Sequence, residues 1–542
     1  MNHQAQATSS NRQTNPVLHR LISSWPGILL LILFSVLVMY NSFLCDDAFI
    51  TFRFARNLST GAGPVFNPGE RVEGYTNFLW MLMMAIVIKA GGAPGLWSRL
   101  LSIAFSLGTI VTFLTYISRR SDEGLIRWLF VAFLAFSSPF LVWSTGGMET
   151  AAFAFFVFIG LVSFLVGLEQ GKSRSLVCSS LLFSAAALTR PEGILVFSLA
   201  LGCLALFSSL KKTSFKQCIL LLLPFLALYG AYFIWRLSYY GKFFPNTYYV
   251  KAPGALMASL GLAYYWHFLI DSALWLPVTL AAYWSIKSRR ISFGSGDVYI
   301  TLLLAVYSAY VIYAGGDFMA LARFLMPLLP IVYLLLHRLY SPGEFVDRRK
   351  GGSVLATVAL VAFVIVNIHS CIKAQGMDYD EGVDSIGVLQ DYVTKWSDVG
   401  RLIYQDSRPT DTIAVTAAGA IPYFSQLYTI DMRGLEASDL GRYTIIRDSI
   451  RPGHVMMISM SYLFEMNPQF IIGHPRITRG QLNQHPFGQP QNINDILLKK
   501  YTAASTELPD LQGYFLNFWV RNDIIPRMSE KMRFYRFDNM SQ

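Results

Sequence analysis

Adjacent carboxylates at Asp46 and Asp47 close the apolar run Gly27–Leu44, where a helix C-terminus would already carry partial negative charge. Two acids there need a compensating reason, and two fit. In one, Asp47 caps a short helix from Ala48 to Leu58 and both acids pair with Arg53 or Arg56. In the other, one of them is a general base whose pKa is raised by its neighbour and by partial desolvation. Spacing alone does not choose between them. Neighbouring helical residues point about 100° apart, so at most one holds the reacting proton, while the other orients it, binds a metal or caps. Glu149, in the segment GGMET, is the next acid in a loop on the same side, and the two glycines before it let backbone approach closely. It either complements the dipole of the helix that follows or joins the acids.

Arg190, Lys251 and Arg323 are single cations at the ends of apolar runs. Taken one at a time they read as snorkelling residues; together they would make an anion site facing the acids, suited to a phosphate leaving group. Asp317 lies shortly before Arg323, and Tyr75, Asn77, Asn246 and Thr247 add neutral groups of the kind that hold sugar hydroxyls. If a divalent cation binds, phosphate with Asp46, Asp47 and Glu149 suits magnesium, calcium or manganese, although nothing in the sequence demands one. His454 and the other histidines show no ligand spacing. Cys45, Cys178, Cys203, Cys218 and Cys371 form no CxxC or CxxH pair, so neither a zinc site nor a disulfide framework follows.

The elements that must position these groups belong in lipid. Of 542 residues, 14% are charged and 54% hydrophobic, against about 25% charged in an ordinary soluble protein. With a mean hydropathy of +0.42, that excludes a disordered chain, a collagen, a coiled coil or a single water-soluble domain. Apolar runs at 27–44, 100–117, 126–143, 150–168, 175–189, 194–210, 217–235, 272–286, 297–314, 323–340 and 353–371 give about eleven spans. Basic loops at Arg119, Lys172, Lys211, Arg289 and Arg349 fall in every second connection, which places them and the tail 1–26 in the cytoplasm. The stretch Asn77–Lys89 is too short to cross unaided and reads as an interfacial or re-entrant helix anchored by Trp80. The net charge of +11 therefore belongs to membrane orientation, and no nucleic-acid partner is expected.

Residues 27–372 thus form the membrane domain, with a catalytic outer loop at 45–76, and 373–542 read as an extracytoplasmic α/β domain. TIAVT, YTIDM, PQFIIGH, YFLNFWV and MRFYRF are its expected strands, and 387–395 and 454–464 its helices. The span centres carry essentially no ionisable residue, unlike ion-coupled transporters. The polar clusters gather instead in alternate loops on one face, which points to a cavity at the outer interface.

The stretch Asp46–Trp80, DDAFITFRFARNLSTGAGPVFNPGERVEGYTNFLW, closely resembles the first outer loop of bacterial GT-C glycosyltransferases of the terminal arabinofuranosyltransferase type. GGMET, LTRPEG, YYGKFFPNTYYVK, GGDFMALARFLMPLLP and AGAIPYFSQLYTIDMRGL resemble that group in the same order, over most of residues 27–440. The resemblance implies a polytopic α-helical GT-C fold, a polyprenyl-phosphate-sugar donor and an acceptor on the outer face of a bacterial inner membrane. Asp46 and Asp47 match the group's leading acidic pair and Glu149 the acid of its second outer loop; Phe78 stands where many relatives have proline. The reaction implied is inverting transfer of a sugar, arabinofuranose first, to a glycan or protein. Two alternatives stand beside it: the same scaffold moving another lipid-linked sugar such as mannose to protein or lipopolysaccharide, and a lipid-linked sugar flippase.

Overall fold

The computed structural model describes residues 25–118, 124–210, 214–250, 255–288, 293–339, 350–380, 382–445, 455–480, 499–530 and 532–535. The basic loops at Arg119, Lys211, Arg289 and Arg349, together with Lys251 and His454, lie outside the described residues. Apolar runs become helices because hydrocarbon offers no partner to a free N–H or C=O. Six helices are long and apolar enough to cross a bilayer: Pro94–Ser118, Thr150–Gln170, Glu192–Ser209, Phe215–Tyr240, Ser295–Ala314 and Val354–Gln375. A seventh crossing results if Met257–Asp271 and Trp275–Ile286, bent by 72° at their junction, count as one span. The chain is a multi-pass membrane protein.

Several expected runs take a different form. Those at 27–44, 175–189 and 323–340 correspond to the shorter apolar helices Trp25–Tyr40, Ser173–Thr189 and Met326–Leu339. The run 126–143 is broken into Gly124–Ala135 and Ser138–Val142, because Pro139 cannot continue the first helix's hydrogen-bond ladder. A helix at Ala255–Asp271 was not among the expected spans; Tyr264, Tyr265 and His267 interrupt its apolar run. Asn77–Lys89 forms the short helix Phe78–Lys89, with Trp80 buried and donating to the Gly147 carbonyl.

Beyond the last membrane helix, Ile386–Asp406 lies against a mixed sheet through Tyr392 and Trp396 on His474 and Lys395 on Tyr514. The strands are β1 Thr412–Val415, β2 Tyr428–Asp431, β3 Tyr443–Ile445, β4 Met456–Ile458, β5 Phe470–Arg479, β6 Tyr501–Glu507, β7 Tyr514–Arg521 and β8 Arg533–Tyr535. Six of them form one sheet in the order β2-β1-β5-β7-β6-β8, and β3 and β4 form a separate antiparallel pair. β2, β1 and β5 run parallel, with the helix Ala420–Ser425 carrying the crossover from β1 to β2; the remaining pairs are antiparallel. All five expected strands form. β3, β4 and β6 are additional strands: β4 at Met456–Ile458 stands where a helix over 454–464 is expected, the helix forming instead at Met460–Met466, and YTAASTE of β6 lacks the bulky β-branched and aromatic alternation that marks a strand.

One apolar core runs from Phe34 and Phe140 of the membrane domain through Phe49 and Phe52 to Ile421, Phe470 and Phe518 of the α/β domain. A second, smaller core holds Ile430, Ile471, Tyr501 and Trp519. The α/β domain is therefore seated on the membrane domain by shared packing as well as tethered by chain.

Candidate active site

The first apolar helix stops at Tyr40, and a new helix begins at Asp46 and runs to Ser59. The acids thus occupy the first turn of a helix, where the dipole favours them, and not the C-terminal end that the apolar run suggested. The residues between pair sideways. The Cys45 amide donates to the Gly146 carbonyl at 3.2 Å, and the Gly146 amide to Phe43 at 3.1 Å. This bridge fixes the loop that leads into Asp46 to the GGMET loop, and Gly147 permits it. Its φ of +80° suits glycine, and a Cβ there would lie 2.7 Å from Leu44 and 2.9 Å from Ala48.

Asp46 is buried and looks toward the α/β domain. Its Oδ1 accepts from the Ala420 amide at 2.7 Å and its Oδ2 from the Gly419 amide at 3.2 Å. Burial pushes its pKa up to about 7; the two amides pull the other way, and the charge of Asp47 adds to the rise. The expected pairing of the acids with Arg53 or Arg56 does not form. Arg53 instead donates to the Phe66, Pro422 and Leu427 carbonyls and to Asn67, while Arg56 donates to Tyr423 and stacks on its ring. Asp47 does not cap the helix either; Cys45 holds the N-cap position.

Asp47 turns the other way. Its side chain is 35% exposed, and its Oδ2 stands 3.8 Å from an Nη of Arg323. Arg323 is buried, its Nε donates to Asp317, and its guanidinium lies 4.9 Å from the centroid of Phe324. The loop that delivers it is strained, since Gly315, Gly316, Leu321 and Ala322 all have positive φ. For two non-glycine residues in succession this conformation is costly, and it persists only where surroundings enforce it. Here Trp143 donates to the Ala320 carbonyl at 3.1 Å, and Phe318 and Ala320 exchange backbone hydrogen bonds with Asp384.

Beside this pair lies a second network. Arg190 donates to Glu149 and to Glu192, each at 2.8 Å, and its guanidinium lies 4.5 Å from the same Phe324 ring. The other Glu149 oxygen accepts from Asn77 at 2.9 Å, and the Asn77 amide also reaches Thr51 at 3.0 Å. Arg190 is in extended backbone geometry, as Pro191 requires. Asp47, Asp317, Arg323, Asn77, Glu149 and Arg190 are thereby joined into one polar centre around Phe324.

Comparisons with known proteins bear on this arrangement. Residues 387–522 match a family described as a domain of unknown function (DUF8728). Over 360 residues the chain is 27% identical to a terminal β-(1→2)-arabinofuranosyltransferase of Corynebacterium glutamicum, covering 59% of this chain and 51% of that protein. It is also 27% identical over 257 residues to a terminal β-(1→2)-arabinofuranosyltransferase of Mycobacterium tuberculosis, covering 44% of this chain and 39% of that one. The chain thus spans about half the length, or less, of the curated relatives it matches. Among solved structures, ArnT from Cupriavidus metallidurans in the apo state superposes with a TM-score of 0.54 at 11% identity, over 92% of this chain and 98% of that one. This is the GT-C fold of ArnT. The same ArnT bound to undecaprenyl phosphate aligns over 74% of this chain and 85% of that one, with 13% identity and a TM-score of 0.48.

On this GT-C scaffold several anticipated groups have structural partners elsewhere. Tyr75 meets the Tyr240 hydroxyl at 3.1 Å. The Asn246 amide donates to the Gly434, Leu435 and Ala437 carbonyls, its oxygen accepts from Lys242, and Thr247 follows it in the same short helix. Lys251 lies outside the described residues. Among the described residues no group of three or more His, Cys, Asp or Glu is placed to hold a metal ion. Asp46, Asp47 and Glu149 are not brought together as such a group, and both oxygens of Asp46 and of Glu149 accept from protein donors. Two features had not been singled out from the sequence. Glu192, within LTRPEG, completes the Arg190 network, and Glu73 forms a buried ion pair with Arg236 that ties the 45–76 loop to the C-terminal part of Phe215–Tyr240. The one sequence signal for the second pair was an arginine just past an apolar run.

Proposed function

We propose that the chain is a membrane glycosyltransferase that moves a sugar, arabinofuranose in the first instance, from a polyprenyl-phosphate donor to a glycan or protein acceptor. The polar centre and the α/β domain share one face of the membrane domain, and in this reading that face is the outer side of a bacterial inner membrane. The observation that carries the proposal is the partly exposed Asp47 carboxylate held 3.8 Å from the buried Arg323 guanidinium. A base and an anion-stabilising cation at one polar centre are what transfer from a lipid phosphate to a hydroxyl requires. The similarity to two terminal arabinofuranosyltransferases supports the choice of sugar.

In the proposed step Asp47 takes the proton of the acceptor hydroxyl as its oxygen bonds to the anomeric carbon. The bond from that carbon to the phosphate oxygen breaks, and the electron pair leaves with the lipid phosphate. Arg323 meets the charge that develops there. Inversion demands attack and departure on opposite faces of the sugar, so the donor sugar would sit between Asp47 and Arg323 and part them. Asp317 holds the Arg323 guanidinium in place. Arg190 has two carboxylates on it already, so its charge is compensated, and with Glu149 and Asn77 it shapes the wall of the site. No step is routed through a divalent cation.

The test uses the protein in lipid nanodiscs with a synthetic polyprenyl-phosphoarabinofuranose and an oligosaccharide acceptor, following release of polyprenyl phosphate. Acceptor-dependent release that Asp47→Asn abolishes is the expected result. Release from a mannose-bearing donor in place of the arabinose donor would overturn the sugar assignment, and release undiminished in Asp47→Asn would overturn the base.

A further inference from the structure

The two acids that open the first outer helix have different neighbours, and the difference links the α/β domain to the proposed chemistry. Asp46 is held by two backbone amides of that domain, at 2.7 Å from Ala420 and 3.2 Å from Gly419. The main chains meet as closely as the side chain does. A Cβ on Gly419 would lie 2.1 Å from the Asp46 carbonyl oxygen and 2.5 Å from its Cγ, so only glycine allows the contact. Around it Phe49 packs edge-on to Tyr423 at 5.4 Å, and Arg53 clamps the Pro422 and Leu427 carbonyls.

A carboxylate whose two oxygens are both directed fixes its own Cα, and the Cα of Asp47 follows about 3.8 Å along the chain. A shift of about 1 Å at a reacting group is enough to cost about a hundredfold in rate. We infer that the α/β domain is a positioning element for the base: the Gly419–Ala420 peptide, by holding Asp46, sets where the Asp47 carboxylate stands relative to Arg323. Asp46 is then a positioning residue that does not touch the reacting atoms. The domain completes the site, and any event that reseats it on the first outer helix changes turnover more than donor binding. The inference rests on the reading of Asp47 as base.

The experiment compares full-length wild type, Gly419→Ala, Asp46→Asn and the double variant in nanodiscs, with Arg442→Ala as an exposed control on the α/β domain. Turnover and donor KM are measured with the synthetic polyprenyl-phosphoarabinofuranose, and hydrogen–deuterium exchange is read over residues 46–59. Each single variant should lose at least about tenfold in turnover with donor KM within about twofold, the pattern of an interaction lost only in the transition state. Gly419→Ala should also speed exchange over 46–59, and Arg442→Ala should change nothing. The double variant should be no slower than the worse single one, since both cut the same link. Wild-type turnover in both single variants, losses that multiply in the double, or slowed turnover in Gly419→Ala with unchanged exchange over 46–59 would each overturn the inference. If wild type does not consume the donor, it is the base reading that fails; exchange still decides the link, and unchanged exchange over 46–59 in Gly419→Ala refutes it.

Discussion

Asp47 and Arg323 face each other across 3.8 Å, with Arg323 held from behind by Asp317 and Asp47 carried on a helix whose first residue is anchored in another domain. The separation is longer than a closed ion pair, and in the proposed step the donor sugar parts the two groups further. Asp47→Asn is expected to lower turnover by at least about a hundredfold, the scale of losing a general base. Donor binding should hold or tighten, because Arg323 then meets the phosphate without competition from a carboxylate. Turnover and donor titration on the same purified protein check both halves, and a weakened donor affinity with near-normal turnover would contradict the assignment.

Arg323 and Arg190 should separate by what their loss does. Arg323→Gln removes the cation with the less compensated charge and should reduce turnover by about ten- to a thousandfold, with Arg323→Lys also impaired because a forked guanidinium reaches both Asp317 and Asp47. Arg190→Gln removes the cation that both Glu149 and Glu192 face in a buried site. Breaking such a pair costs about 3–5 kcal/mol, so the expected effect is a lower melting temperature and reduced yield. Thermal unfolding of both variants beside their turnover per folded molecule decides the matter.

How much of this was legible in the sequence follows from where each partner lies. The candidate acids, Arg190, Arg323 and the short helix at Phe78–Lys89 could be read because each sits in a local pattern that composition exposes. The division of labour between Asp46 and Asp47 could not. It depends on a break after Tyr40 that an apolar run conceals, and on amides at Gly419 and Ala420 that lie hundreds of residues away. AGAIPYFSQ was visible as a segment, but its contact with the helix Asp46–Ser59 is a tertiary fact. The partners of Asn246 were hidden for the same reason, since a buried amide serving three carbonyls and an amide awaiting a sugar look alike in sequence.

Asn246→Ala is therefore expected to act on stability. It strips a donor from the carbonyls of Gly434, Leu435 and Ala437 and leaves buried backbone acceptors with one partner fewer, which costs about 1–3 kcal/mol. A drop in melting temperature with donor KM unchanged fits the clamp. A rise in KM without loss of stability would return Asn246 to the substrate site.

Asp46 supplies the pH dependence. Its folded pKa, about 7, lies above the ordinary aspartate value of about 3.9, so the folded protein binds this proton more tightly than the unfolded chain does. Its stabilising contribution is complete below the unfolded value, declines as pH rises toward about 7, and is lost above it. The groups that face it are the Asp47 carboxylate on its own helix, the adjoining Cys45 thiol and the Gly419 and Ala420 amides of the α/β domain. A neutral asparagine escapes the ionisation cost. The melting temperature of Asp46→Asn should therefore gain on wild type as pH is raised from about 5 to 8. Turnover moves the other way. Once ionised, Asp46 raises the proton affinity of the neighbouring Asp47, so wild-type turnover should climb through an inflection near the Asp46 value, and Asp46→Asn should lose that inflection along with much of its activity. Melting curves and pH–rate profiles for the two proteins check the argument. An inflection retained in Asp46→Asn would show that another group titrates there and that Asp46 does not tune the base.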